Sequence, residues 1–515
     1  MNANLRFQAV AVLLCVGSWL ALPASANSIW LDPEGLPSSS ARDALKLLAE
    51  AQADGLSAKD YGLDRLSGTA GRSLSANGDS PAGAERFARE LDASFLHYLH
   101  DLKLGRVDPT LLHFKLPSQR PHAPDFVHLV QAAALAGNLP AMVAELRPNL
   151  GQYDKLREAL ARYRTLAADA SLGRLPVAPA AVKPGEPYAA TGELNKLLIA
   201  LGDLPTGSTP TAQSLYTAPL VEGVKHFQAR HGLTADGVIG KTTFAALNVP
   251  LARRVQQLEL ALERLRWLPD LTTQPFVGIN IPMFRLWTWD PAQPATPPLS
   301  MGVVVGRALN TQTPVLQDDM RYLIFQPYWN VPRSILRKEI LPHLARDPGY
   351  LRRQNMELVR GASDNAAAVE TNDENLALLR KNVLRVRQRA GPHNALGRVK
   401  FIFPNDDNVY LHDTPSTQLF SRARRDFSHG CVRVERPAAL AQWVLRDQAA
   451  WTRERIDAAM ASTSMLRVDL PKSLPVVLFY MTAMVMPEDN ALHFSDDLYG
   501  HDAQLARALE ARRPD

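Results

Sequence analysis

The hydrophobic pattern changes period once along the chain, near Pro269. Upstream, apolar side chains recur every three or four positions: Ala44, Leu47, Leu48 and Ala51, then Phe87, Leu91, Phe95, Tyr98 and Leu102. That spacing lines one face of a helix. Downstream come β-branched and aromatic runs, FVGINIPMFRLWTW, LSMGVVVG and PVVLFYMTAMV, the composition of strands. Helices first and strands later predict an α+β protein. At 515 residues the chain exceeds what one core holds, so two or three domains are expected.

The first residues bear on the compartment. Residues 1–6 carry one basic side chain, residues 8–22 are almost wholly apolar, and Ala24, Ser25 and Ala26 are small. This apolar run is short for a membrane span. Residues 1–26 therefore read as a cleaved secretory signal peptide, with an uncleaved anchor as the alternative. Residues 27–174 read as a helical scaffold. His97 and His100, three apart in it, suit either a packed pair or a shared metal. The proline- and alanine-rich stretch 175–188 reads as a semi-rigid linker. Residues 189–250 read as a small helical module and 270–490 as a β-rich domain. A polar, helix-forming insertion interrupts that domain at 334–396, and 491–515 is left as a C-terminal tail. The net charge of +5 is not gathered into a block. It suits contact with an anionic envelope polymer and makes no case for nucleic acid.

The chain has two cysteines, and Cys15 lies inside the expected leader. Cys431, in FSHGCVRV, is left without a partner. In an oxidising compartment a solitary thiol is either a working nucleophile or an inert buried residue. A free thiol is mostly protonated at neutral pH, so a working one needs a base held by a third group. Two histidines offer themselves: His412, 19 residues earlier in VYLHDTP, and His429, two residues away. Spacing alone does not choose between them. A metal site built from His412, His429 and Cys431 lacks the paired-cysteine spacing such sites use. No metal or other cofactor is called for.

Two resemblances sharpen this reading. Phe227-Gln228, His231-Gly232-Leu233 and the Asp236–Gly240 loop resemble the three-helix peptidoglycan-binding module, with Gly237 and Gly240 expected at backbone angles a β-carbon resists. HDTP followed by SHGCVRV resembles the signature of the L,D-transpeptidase catalytic domain. That resemblance implies Cys431 as nucleophile, His412 as general base, and the carbonyl of Asp413 as the group that holds the base. It also implies Tyr410 and the amides at Gly430 and Cys431 around the oxyanion, and an insertion that caps the site. Arg433, Ser428, His429 and Trp329 are expected to contact substrate, Arg433 through a substrate carboxylate.

The activity so implied is acyl transfer on peptidoglycan. Cys431 would attack the meso-diaminopimelate carbonyl of a tetrapeptide stem, release D-alanine, and pass the acyl group to an amine of a neighbouring stem. Carbapenem acylation of Cys431 goes with this reading. The alternatives are an L,D-carboxypeptidase or endopeptidase that hydrolyses the same bond, and a non-catalytic wall-binding protein. The expected location is the periplasm, at the cell wall. The expected partners are stem peptides, glycan and other cell-wall enzymes.

Overall fold

The computed structural model describes residues 28–73, 81–118, 120–208, 214–361, 363 and 366–512. The expected signal peptide, with Cys15, lies outside the described residues. Among those described, no helix is long and apolar enough to cross a membrane.

The fold is α+β, with helices gathered in the first half and strands in the second. Helix Ser39–Glu50 starts on Ser38, whose hydroxyl accepts from the Ala41 N–H, satisfying one of the otherwise unpaired first-turn donors. It packs on helix Pro81–Leu104 through the residues its periodicity singles out: Leu48, Phe87, Leu91, Phe95, Tyr98 and Leu102 are all buried in one core. His97 and His100 flank the buried carboxylate of Asp101, at 3.3 and 3.5 Å.

Stretch 175–188 differs from a free linker. Leu175, Val182 and Tyr188 are buried, and Val182 exchanges main-chain hydrogen bonds with Ile239. Proline limits the conformations of this segment, and its three large side chains pin it onto the module it precedes. That module comprises helices Thr191–Leu201, Ala218–Arg230 and Lys241–Leu247. Gly237 has the expected left-handed φ of +74°. Gly240 does not: it caps the third helix in an extended conformation, φ −86°.

Helix Leu251–Leu265 joins the two halves. Its many charges hide it from a simple apolar reading, yet Glu263, Arg264 and the following Arg266 are buried. Glu263 and Arg266 neutralise each other, and Arg264 is neutralised across the halves. Glu263 accepts from the Val107 N–H at 3.0 Å and from Arg266 at 3.0 Å, and Arg264 reaches Asp502 at 2.6 Å. Buried ion pairs of this kind cost several kcal/mol, about 3–5, when one partner is removed.

The β-rich part begins with β1 (Phe276–Asn280), β2 (Arg285–Trp289), β3 (Ser300–Gly306) and β4 (Leu316–Phe325). The insertion follows, with β5 (Trp329–Asn330), β6 (Met356–Val359), β7 (Ala368–Val369) and β8 (Arg385–Gln388). The main sheet resumes with β9 (Val399–Ile402), β10 (Leu411–His412), β11 (Asp426–Ser428), β12 (Val432–Val434) and β13 (Leu466–Phe479). Its order is β11-β3-β12-β10-β9-β4-β13-β1-β2, and β2 also pairs with β3, so the sheet closes on itself. Closure removes the unpaired edges that an open sheet would present.

Two expectations change here. The insertion is not purely helical: β5, β8, β6 and β7 form their own four-stranded sheet. Ile335, Leu336, Ile340, Leu344, Leu351, Leu358 and Val386 give it a separate core. Nor is 491–515 a tail. β14 (Ala483–Val485) pairs with β15 (Leu492–Phe494), and helix His501–Glu510 docks through buried Leu505 and Asp502. Short polar segments hide such docking because their few anchors sit far apart in sequence.

Candidate active site

Strand alternation places the site. Leu411, Val432 and Val434 point into the sheet's core, so Tyr410, His412, Cys431 and Arg433 face the other way. β10 and β12 run parallel, with Leu411 opposite Val432 and His412 opposite Arg433. The Val432 N–H donates to the Tyr410 carbonyl at 3.1 Å. Two short strands thereby bring the four side chains onto one patch.

His412 is buried, and its Nδ1 lies 2.6 Å from the Asp413 carbonyl oxygen. A carbonyl only accepts, so Nδ1 carries the proton and Nε2 keeps its lone pair. Burial, helped by the Arg433 charge, pushes the imidazole down to about 3. The Asp413 carboxylate is occupied elsewhere, accepting from the N–H groups of Arg398 and Thr414 at 2.8 and 2.7 Å. Only its carbonyl serves the histidine.

Cys431 is partly buried and unpaired. Burial pushes its thiol up, while the Tyr410 N–H and hydroxyl and the Arg433 charge pull the other way. Its sulfur donates weakly to the Asn408 carbonyl at 3.8 Å. Both groups are thus neutral at rest, the imidazole on β10 and the thiol just ahead of β12. Tyr410 is held well above the usual phenol range by burial and by Cys431, so its hydroxyl stays a donor.

The turn before the thiol is braced internally. Gly430 has φ +119°, a conformation L side chains rarely adopt. Its N–H donates to Ser428 Oγ at 3.2 Å, and Ser428 Oγ donates to the Cys431 carbonyl at 2.5 Å. The Gly430 amide, expected to face an oxyanion, is therefore already engaged. Ser428, expected at the substrate, is instead a buried brace. The Gly430 carbonyl accepts from Thr313 Oγ1 at 2.7 Å, and the Thr313 N–H donates to the hydroxyl of Tyr499 at 3.3 Å. Thr313 and Tyr499 carry no local motif, and only the folded chain reveals their part.

The remaining expected contacts divide. Arg433 remains beside the thiol. Asp426 pairs with Arg424 and Glu435 accepts from the Gly302 N–H, and neither is within ion-pair range of Arg433. His429 is turned towards the insertion, with Nε2 2.7 Å from Glu339 Oε1. Trp329 packs against the insertion's core, paired in register with Gln388. It belongs to the cap rather than to the Tyr410–Cys431 patch.

Three stretches of the chain match known families. Residues 274–463 match the family described as L,D-transpeptidase catalytic domain, residues 24–160 a scaffold domain, and residues 188–247 a “Putative peptidoglycan binding domain”. A curated Haemophilus influenzae protein named “Putative L,D-transpeptidase” is 33% identical over 250 residues, covering 48% of this chain and 49% of that one. The chain thus spans about half the length of that relative. A solved chain, the “Ldtfm-avibactam carbamoyl enzyme”, aligns with 63% of this chain and 98% of its own at 11% identity and a TM-score of 0.16, too distant to bear on the fold. Residues 188–247 are thus similar to peptidoglycan-binding domains and residues 274–463 to L,D-transpeptidase catalytic domains.

Proposed function

We propose that this protein transfers the acyl group of one peptidoglycan stem peptide to another through a thioester on Cys431. The observation that carries the reading is the His412 tautomer: Nδ1 donates to the Asp413 carbonyl, which leaves the Nε2 lone pair to serve as the base, on a strand paired with the one that follows Cys431.

Because imidazole and thiol rest neutral, the proton leaves sulfur as sulfur attacks. In the first half-reaction Cys431 Sγ adds to the meso-diaminopimelate carbonyl and His412 Nε2 takes the thiol proton. The Tyr410 hydroxyl and the Cys431 N–H are the donors left for the oxyanion, given that the Gly430 N–H is bound to Ser428. The tetrahedral adduct then expels D-alanine, whose nitrogen takes the proton back from His412. In the second half-reaction an amine of a neighbouring stem adds to the thioester and gives up a proton to His412. The C–S bond breaks, and that proton returns to sulfur. The product is a diaminopimelate–diaminopimelate cross-link, and no cofactor enters the balance. Water in place of the amine gives hydrolysis, the second reading. Arg433, a cation beside the thiol without an internal carboxylate partner among the described residues, suits the carboxylate of the incoming stem. Peptidoglycan as substrate places the enzyme outside the cytoplasm.

Muropeptide mass spectrometry after incubation with wall fragments tests the reading. Wild-type protein should give cross-linked dimers and free D-alanine. Cys431→Ala should give neither, while unfolding within about 1 kcal/mol of wild type, since a change this small removes little packing. Cross-linking by that variant refutes the mechanism.

A further inference from the structure

The insertion's charges are spread out in sequence, yet residues 329–396 hold twelve Lys and Arg against seven Asp and Glu, an excess equal to the +5 of the whole chain. Much of that excess lies along one rod. Helix Arg333–Ile335 runs through the wide turn Leu336–Ile340 into helix Leu341–Arg346. Pro342 has no N–H for the Lys338 carbonyl, which a regular helix would pair, and the turn there is wide. Ile335, Leu336, Ile340 and Leu344 bury one side of the rod in the insertion's core. Arg333, Arg337, Lys338 and Arg346 are exposed.

The insertion's own carboxylates are committed elsewhere. Glu339 is latched to His429, Asp347 holds Arg353, and Glu357 bridges Arg387 and Arg389. Asp373 and Glu374 sit in the first turn of helix Asp373–Arg380, where the helix dipole favours them. Among the described residues no carboxylate lies within ion-pair range of Arg333, Arg337, Lys338 or Arg346. The other exposed residues of the rod are Ser334, Pro342, His343 and Ala345. A helix that lies on a bilayer sets Trp, Phe or Leu outward beside its cations. This face has none, so it suits an anionic polymer in water rather than a lipid surface.

The middle of the rod is fixed at the catalytic turn. Glu339 Oε1 is 2.7 Å from His429 Nε2, two residues before Cys431, and Lys338 adjoins Glu339 in the chain. A polymer lying along these cations therefore lies beside the turn that carries the thiol.

From this arrangement we propose that the outer face of the insertion, from Arg333 to Arg346, docks a peptidoglycan strand through the carboxylates of its stems. The proposal rests on the peptidoglycan reading above and names the surface that brings the second substrate. A tetrapeptide stem has free carboxylates on its terminal D-alanine and on the far end of diaminopimelate, and a strand repeats them. Guanidinium forks match such groups. A strand held there keeps its stems at raised effective concentration near Cys431, which favours amine over water as acceptor.

Pelleting of full-length Cys431→Ala protein with insoluble peptidoglycan tests it. Arg333→Glu/Arg337→Glu in that background should weaken binding about threefold or more at low salt, and the difference should vanish near about 0.5 M salt, where screening shortens the reach of the charges. An equal reversal on the scaffold helix, Arg86→Glu/Arg89→Glu, should have no such effect. Peptidoglycan with amidated carboxylates should bind the parent and the insertion variant alike. Arg333→Gln/Arg337→Gln serves as the milder variant, and each protein is checked for native circular dichroism. Equal binding by parent and insertion variant, an equal loss from the scaffold reversal, or a loss that survives amidation overturns the proposal. So does charge-dependent capture by phosphatidylglycerol vesicles with wall binding indifferent to the same residues. Release of D-alanine from a soluble tetrapeptide by the wild-type enzyme separates this from the catalytic reading. Release together with charge-indifferent wall binding rejects only the docking face. Charge-dependent wall binding without release rejects only the transpeptidase.

Discussion

His429 Nε2 and Glu339 Oε1 lie 2.7 Å apart, tying the residue two before the thiol to the insertion 90 positions upstream. Glu339 sits in the wide helical turn Leu336–Ile340, whose apolar side chains enter the insertion's own core. The cap is thus a folded unit latched onto the catalytic turn.

Both latch residues are partly exposed, so the pair is worth under about 1 kcal/mol to overall stability. Glu339→Gln should leave the unfolding midpoint nearly unchanged and move products from cross-link towards hydrolysed stem, because a cap that opens admits water to the thioester. Quantifying both muropeptides checks this. An unchanged ratio would make the insertion a passive cover.

The two histidines should separate by rate. His412→Ala should lower acyl transfer by about 10²–10⁴ as a lost general base. His429→Ala should act on stability and product ratio, and its acylation rate should stay near wild type. Single-turnover release of D-alanine distinguishes them. A folded, inactive His429 variant beside an active His412 variant would reverse the assignment.

Tyr410 faces the thiol with a hydroxyl that does not ionise in the working range. Tyr410→Phe removes one of two oxyanion donors and should cost about 10²-fold or more in turnover. The loss should fall on kcat, with KM nearly unchanged, as steady-state kinetics on a soluble tetrapeptide would show.

Acid should destabilise the protein through His412. The unfolded imidazole titrates near the ordinary value of 6.5 and the folded one at about 3. Between these the unfolded chain holds more protons, so stability falls as pH drops from about 6.5 to about 3 and levels off below. His501, pushed down to about 4 by burial and Arg264, adds to the same trend. Denaturant titrations across that window should show His412→Gln with a shallower slope, by up to about 1.4 kcal/mol per pH unit. An unaltered slope would mean the imidazole is not buried neutral.

Local pattern was enough for a good part of this molecule. The switch of period near Pro269 gave the α+β order, and the 3.6-residue spacing picked out Phe87, Leu91, Phe95, Tyr98 and Leu102 as core. HDTP and SHGCVRV carried the nucleophile and base as expectations, because alternation in two short strands sends Tyr410, His412, Cys431 and Arg433 to one face. What pattern did not show depends on partners far away in the chain. Helix Leu251–Leu265 has no place in the pattern reading, because its buried charges make sense only against their counter-charges. Residues 491–515 looked like a tail because Tyr499 and Asp502 gain meaning only against Gly306, Thr313 and Arg264. The Gly430 amide looked free for the oxyanion because a main-chain donor has no signature in sequence, and its bond to Ser428 exists only once the turn is closed. Periodicity is a property of neighbours along the chain. Neutralising a buried charge and occupying a donor are properties of neighbours in space, and those only closure of the fold could settle.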